Sequence, residues 1–285
     1  MANIVDKVSI PTALYGSELW ASLTNYDVLT LERFLRFAAK MCQNLPTRTR
    51  TDMSLSLIGW LPIIAKIDSR KLMFFHKLCC MNSKYLTKQL FEYRLALFNI
   101  RGKSSQQGFI PDIYSVIEKY SLLNHYSVYR DSSIIPPKLM WKRIVNNAIR
   151  NYHTELWTVR VTGNLEFARF SVVHPHIRAA RIWTAARTPR ETSEASAAVR
   201  VLVNTREQPS GNNCRHCGHI TIDSDTHAIA SCQRLIDYRL KILRACNILP
   251  NTNSYDMVTL LLSAAHTLDD ETTRSICNFI HMCVT

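Results

Sequence analysis

The chain has 285 residues, 47% of them hydrophobic and 20% charged, which is enough apolar material for one large domain or two small ones. Lys and Arg number 35 against 22 Asp and Glu, and the resulting net charge of +13 makes a polyanion the first partner to consider. No apolar run approaches the ~20 residues that span a bilayer and no secretory signal opens the sequence, so no membrane partner is expected, and a soluble protein of the nucleus or cytoplasm is.

The charge is uneven along the chain. Residues 1–150 hold 21 Lys/Arg and 10 Asp/Glu, 151–213 hold 8 and 5, and 214–285 hold 6 and 7, so the basic surface belongs to the N-terminal half. Nine cysteines, an odd number and several of them in apolar helical settings, suit reduced and buried thiols.

Taken in order, residues 10–21 read as an apolar helix with Pro11 in its first turn. Thr24 or Asn25 can cap the next helix, in which Val28, Leu31, Leu35, Ala38 and Cys42 recur at alternating spacings of three and four and form a core stripe. Arg33, Arg36 and Lys40 recur in the same way about 140° around that helix, and Arg48 and Arg50 extend the positive charge past Pro46. Such a stripe is either a solvated face or a phosphate-contacting one.

Gly59-Trp60-Leu61-Pro62 reads as a turn launching a long helix, with Ile63, Ile67, Phe74, Phe75 and Leu78 inward and Lys66, Arg70, Lys71 and Lys77 outward. A further helix is expected over 86–98. Residues 101–108, polar and with two glycines, read as a linker. Pro111-Asp112 opens a helix expected to run through Leu123. Pro136-Pro137 then precedes one with Trp141, Ile144, Val145, Ala148 and Tyr152 on one side. Lys142 and Arg143 beside Trp141 make that indole either a core side chain or a base-stacking one.

Residues 154–173 show no clear period. An Ala-rich helix with Ile177, Ile182 and Trp183, flanked by Arg178, Arg181, Arg187 and Arg190, follows, and Thr192-Ser193 is expected to open another. Residues 206–213 form a second linker. Next comes Cys214-Arg215-His216-Cys217, then His227 and Cys232, a C-x2-C-x9-H-x4-C array whose residue types and order fit one tetrahedral zinc site. Gly218 lets the chain leave the first tight turn. A helix starting near Thr226 would set His227 and Cys232 about 140° apart, within reach of one ion only near a frayed or 3₁₀ first turn. His216 and His219 stay open as substitute ligands. A hairpin is possible over 214–222, and helices are expected from Cys232 to about 250, over 254–266 and over 269–283.

Catalytic motifs are missing. The one Asp-Asp pair, Asp269-Asp270, is preceded by Thr267-Leu268 and followed by a helical pattern, so Asp269 reads as an N-cap and not as half of a two-metal site. No P-loop, G-x-S-x-G or G-x-G-x-x-G occurs, and an enzyme is not expected.

Leu14-Tyr15-Gly16-Ser17-Glu18-Leu19-Trp20, the basic helix after it and the Gly59-Trp60-Leu61-Pro62 helix with Arg70-Lys71-Leu72 together resemble the region after the palm of non-LTR retrotransposon reverse transcriptases. Cys214-x2-Cys217-Gly218 with Thr226-His227, Cys232 and Arg239 is similar to the C-terminal cysteine-histidine motif of the same elements, in the same order. The resemblance implies a mainly α fold. A helical thumb-like region covers 1–100 and a helical linker region 101–213, and 214–285 form a zinc-knuckle-like module with C-terminal helices. It also implies Zn2+ held by Cys214, Cys217, His227 and Cys232. The charge pattern itself, not the resemblance, assigns RNA or DNA to a basic surface comprising Arg33, Arg36, Lys40, Arg48, Arg50, Arg70 and Lys71. The fingers and palm with their catalytic aspartates have no counterpart in these residues, nor has an endonuclease. The chain would then be a non-catalytic C-terminal fragment, with a longer copy able to supply the polymerase. The alternative is a zinc-stapled helical protein-interaction module.

Overall fold

The computed structural model describes residues 2–20, 23–101, 108–164, 167–203, 213–221 and 223–285. The chain is mainly helical, as its periodicity implies, and no strand occurs among the described residues. No described helix is long and apolar enough to cross a membrane. Both expected linkers fall largely outside the described residues.

The first helical segment lies earlier than expected. Ala2–Ile4, Val5–Ser9 and Ile10–Ala13 are helical, the middle one as a wide π turn, and a 3₁₀ turn covers Ser17–Leu19. Pro11, which has no N–H, sits at the junction after the π turn instead of opening a helix to residue 21. Helix α1 spans Asn25–Cys42. Thr24 caps it reciprocally: its hydroxyl accepts from the Asp27 amide at 3.2 Å while the Asp27 carboxylate accepts the Thr24 amide at 3.0 Å. The expected inner stripe holds, with Leu35 and Ala38 buried and Val28, Leu31 and Cys42 half-buried.

Helix α2, Thr51–Leu57, was not anticipated, because its apolar residues alternate with period two. It is helical because it is enclosed: Met53 to Leu57 are all buried, and the hydroxyls of Ser54 and Ser56 donate to the carbonyls of Thr51 and Met53. Helix α3, Ile63–Cys79, begins after Pro62 as expected, its first amide donating to a Glu32 carboxylate oxygen at 2.7 Å. Helices α4 (Leu86–Arg101), α5 (Phe109–Lys119), α6 (Leu123–Ser132) and α7 (Lys138–Thr162) follow. The single helix expected from Pro111 through Leu123 ends at Lys119. Ser121 takes a left-handed conformation, and the Leu122 amide closes back on Ile117 at 2.9 Å.

Short helices α8 (Ala168–Val173) and α9 (Arg181–Ala185) lead to α10 (Pro189–Leu202), which starts before Thr192 because Thr188 and Glu191 form a capping box. Helices α11 (Ser224–Ala230), α12 (Ile236–Ala245), α13 (Ser254–Thr267) and α14 (Asp270–Val284) complete the chain. Helix α12 stops short of 250 because Asn247 adopts a left-handed conformation and the Ile248 amide turns back to Leu243.

Two compact units result, one from 3–35 and 61–156, the other from 36–60 and 157–285. Residues 36–60 join the C-terminal half because the Leu57 carbonyl accepts from the Ala180 amide at 2.7 Å, and the Asn44 carbonyl from Arg200 at 2.7 Å. In the first unit Phe75 lies against the rings of Phe91, Tyr126, Tyr129 and Trp141, and the Trp141 indole donates to the Leu72 carbonyl at 3.0 Å. Trp141 is therefore a core side chain. In the second unit α13 and α14 share a core with Val199, Leu202, Ile229 and Cys232.

Candidate metal centre

The first half of the site is a tight turn. The Cys214 amide donates to the His219 carbonyl and the Gly218 amide to the Cys214 carbonyl, both at 2.8 Å, and Gly218 leaves the turn at a left-handed φ of 73°. The hairpin expected over 214–222 is limited, among the described residues, to one bridge between Asn213 and Ile220. Burial opposes ionisation of Cys214. The amides of Cys217 and His216 bond its sulfur, however, and its thiol is held below the ordinary range.

The second half is the end of a helix. Asp223 caps α11 by accepting the amides of Asp225 at 3.1 Å and Thr226 at 3.0 Å. Helix α11 starts two residues before Thr226 and stops before Cys232, which corrects the expected geometry. Because the helix has ended, the Cys232 amide folds back onto the His227 carbonyl at 2.8 Å and brings the two side chains to one side.

The halves converge. Cys214 Sγ lies 3.9 Å from Cys232 Sγ, Cys217 Sγ lies 3.3 Å from His227 Nε2, and all four donor atoms fall within 4.8 Å of one another, close enough to hold a metal ion. Cys214 and Cys232 are buried, His227 is half-buried and Cys217 is exposed, so the centre opens to solvent on one side. Burial, followed by the nearby His219 and Arg239 charges, lowers the His227 pKa and favours the neutral imidazole that a metal requires. Of the open alternatives, His216 turns its Nε2 to the Cys283 carbonyl at 3.1 Å, and His219 stacks on the His227 ring at 5.5 Å. Neither belongs to the converged set. Arg239, buried, donates to the Cys232 carbonyl at 3.0 Å. Were a divalent ion held by three thiolates, one negative charge would remain, which this guanidinium would offset.

The expected basic residues separate into different environments. Arg33 and Arg48 are exposed, whereas Arg36 is half-buried. Lys40 is half-buried, donates to the Thr47 carbonyl and has its pKa lowered by burial and by Arg36. Arg50 lies over the Phe167 ring at 4.6 Å. Arg70 and Lys71 are not the outer positions expected of them. Arg70 donates to the carbonyls of Leu14 at 2.8 Å and Pro11 at 3.2 Å, and Lys71, only 3% exposed, pairs with Asp112 of α5. A feature missed in the sequence is that Tyr26 and Phe37, 70% and 60% exposed, share the outer face of α1 with Arg33. The signal was present in their spacing of seven and four from Arg33. Asp269 caps α14, and Asp270 pairs with Arg181 at 2.9 Å and Arg187 at 3.5 Å.

No family model, curated protein or solved structure matches this chain.

Proposed function

We propose that this protein is a non-catalytic, zinc-stapled helical binder of nucleic acid, of the type found in the C-terminal region of retrotransposon reverse transcriptases. The observation that carries the reading is the convergence of Cys214, Cys217, His227 and Cys232. Tetrahedral zinc, with bonds of about 2.3 Å to sulfur and about 2.0–2.1 Å to nitrogen, requires S···S and S···N edges of about 3.8 and 3.5 Å. The spacings of 3.9 and 3.3 Å fit it before any ion is placed. The ion's role would be structural, since four protein ligands leave no open position. Metal analysis should give about one zinc per wild-type chain and about none for Cys214→Ser. Unchanged zinc in that variant would remove the assignment.

Binding to RNA or DNA is supported by the +13 charge and by exposed Arg33 between the exposed rings of Tyr26 and Phe37, an interleaving of cation and aromatic that suits stacked bases. The affinity of Arg33→Glu/Arg48→Glu should fall and its slope against log salt should flatten by about one per lost contact. The exposed Leu29, Phe34 and Met41 on the same helix favour the second reading, a protein-interaction module. A wild-type protein with no salt-dependent binding to RNA or DNA would select it. Primer extension should be absent with every template, because both neighbouring aspartates are already engaged.

A further inference from the structure

Helix α7 lies with its inner face fixed. Trp141, Val145 and Ile149 are buried, the Trp141 indole is bonded to Leu72, and further along the same helix His153 Nε2 lies 3.3 Å from the hydroxyl of Tyr120, the residue that follows α5. At 100° per residue, Arg143, Asn146, Asn147 and Arg150 fall on a stripe about 100° wide, roughly opposite that core. All four are exposed. Lys142 borders the stripe on one side, Lys138 is exposed in the helix's first turn, and from Lys138 to Thr154 the helix has no acidic residue. Leu139, 82% exposed, and Met140 add apolar surface at its start.

We infer that this face of α7 reads base edges in the major groove of duplex DNA. The inference rests on the nucleic-acid reading above and makes it specific. Arginine and asparagine are the two side chains whose paired hydrogen-bonding groups match guanine and adenine in that groove, and B-DNA's major groove admits an α-helix whereas that of A-form RNA does not. Single strands are disfavoured here because stacking needs exposed rings, and no aromatic side chain lies on this face, with Trp141 buried and Tyr152 half-buried. From Arg143 to Arg150 the helix rises about 10 Å, roughly three base-pair steps, so a short recognition core is expected. Lys138 and Lys142 would contact phosphate without regard to sequence. A rigid helix held by a packed core supplies the fixed geometry that such reading needs.

The test is selection from a random duplex DNA pool by the full chain, with wild type, Asn146→Ala/Asn147→Ala, Arg143→Ala/Arg150→Ala and Lys138→Glu/Lys142→Glu in parallel, all checked by circular dichroism. Wild type should enrich a motif with a core of about three to four base pairs. The asparagine and arginine pairs should lose or change that motif, with affinity for the wild-type site down about tenfold or more. The lysine pair should weaken all sequences alike and flatten the salt slope. The inference is overturned if wild type binds duplex DNA with a normal salt slope yet enriches nothing, if the variants enrich the wild-type motif, or if RNA hairpins or anionic vesicles outcompete duplex DNA. In those cases nucleic-acid or polyanion binding stands and only the role of α7 falls. A wild type that binds no nucleic acid at any salt removes the broader reading as well.

Discussion

Asp68 is a carboxylate almost without water, 3% exposed, and it accepts from Lys119 and the Tyr120 hydroxyl, each at 2.8 Å. Removing it leaves the Tyr120 hydroxyl only the longer contact to His153 Nε2, at 3.3 Å, and takes the carboxylate from the Lys119 ammonium. Asp68→Ala should lower stability by about 2–4 kcal/mol in urea unfolding, and Asp68→Asn, which keeps an acceptor, by less. His153 and His174 set an acid limit. Burial, with the Lys119 charge beside the first and the charges of His266 and Arg178 near the second, brings both down to about 4. The unfolded chain, titrating near 6.5, therefore takes up the protons first. The stability these neutral histidines contribute is complete above that pH and drains away as pH falls toward 4. By pH 5 the loss should be about 2 kcal/mol per histidine, seen as a lower urea midpoint than at pH 7 and partly relieved in His153→Gln. A midpoint unchanged over that interval would contradict the assignment. At this scale the convergence of Cys214, Cys217, His227 and Cys232 was legible because they lie within 19 consecutive residues and need no distant partner. The basic residues were not. Whether Lys71 faces solvent or a carboxylate is decided by Asp112, 41 positions away, on a helix that periodicity alone cannot dock.

At the scale of elements, the Gly59-Trp60-Leu61-Pro62 block has a physical reason. Gly59 adopts φ of 72°, and a Cβ there would meet the Ala179 amide nitrogen at 2.7 Å, beside the bridge that pairs Ile58 with Ala179. Gly218 has a similar φ of 73° but open space around it. Gly218→Ala should therefore cost about 1 kcal/mol from backbone strain alone, and Gly59→Ala several times that, compared by urea midpoints. Equal costs would show that the close approach is absorbed without strain. Caps written in adjacent residues, at Thr24 and Asp269, were readable. The helix after Thr188 begins ahead of Thr192-Ser193 because its capping box is Thr188-Pro189-Arg190-Glu191. In α2 the alternation of Met53, Leu55 and Leu57 with serines points to a strand, and only the burial of Met53 to Leu57 against neighbouring elements makes it helical.

At the scale of the whole molecule, the metal centre is continuous with the core of the second unit, where Cys214 and Cys232 pack with Ile229, Leu235 and Cys283. Stripping a bound ion with a strong chelator should expose the amides of α11 to α14 to hydrogen exchange while those of α3, α5 and α6, with their separate aromatic core, stay protected. Loss of protection in both stretches at once would show that the units unfold together. Each unit is assembled from two separate stretches of chain, and that has a consequence for the order of synthesis. Ser56 leaves the ribosome 118 residues ahead of the His174 that bonds its carbonyl. At about 5–20 residues per second the delay is roughly 6 to 24 s. For most of that interval Leu45, Met53 and Leu57 have been made and the Trp157, Phe167 and Phe170 of their shared core have not, so the nascent chain carries a sticky segment that needs either shelter or speed.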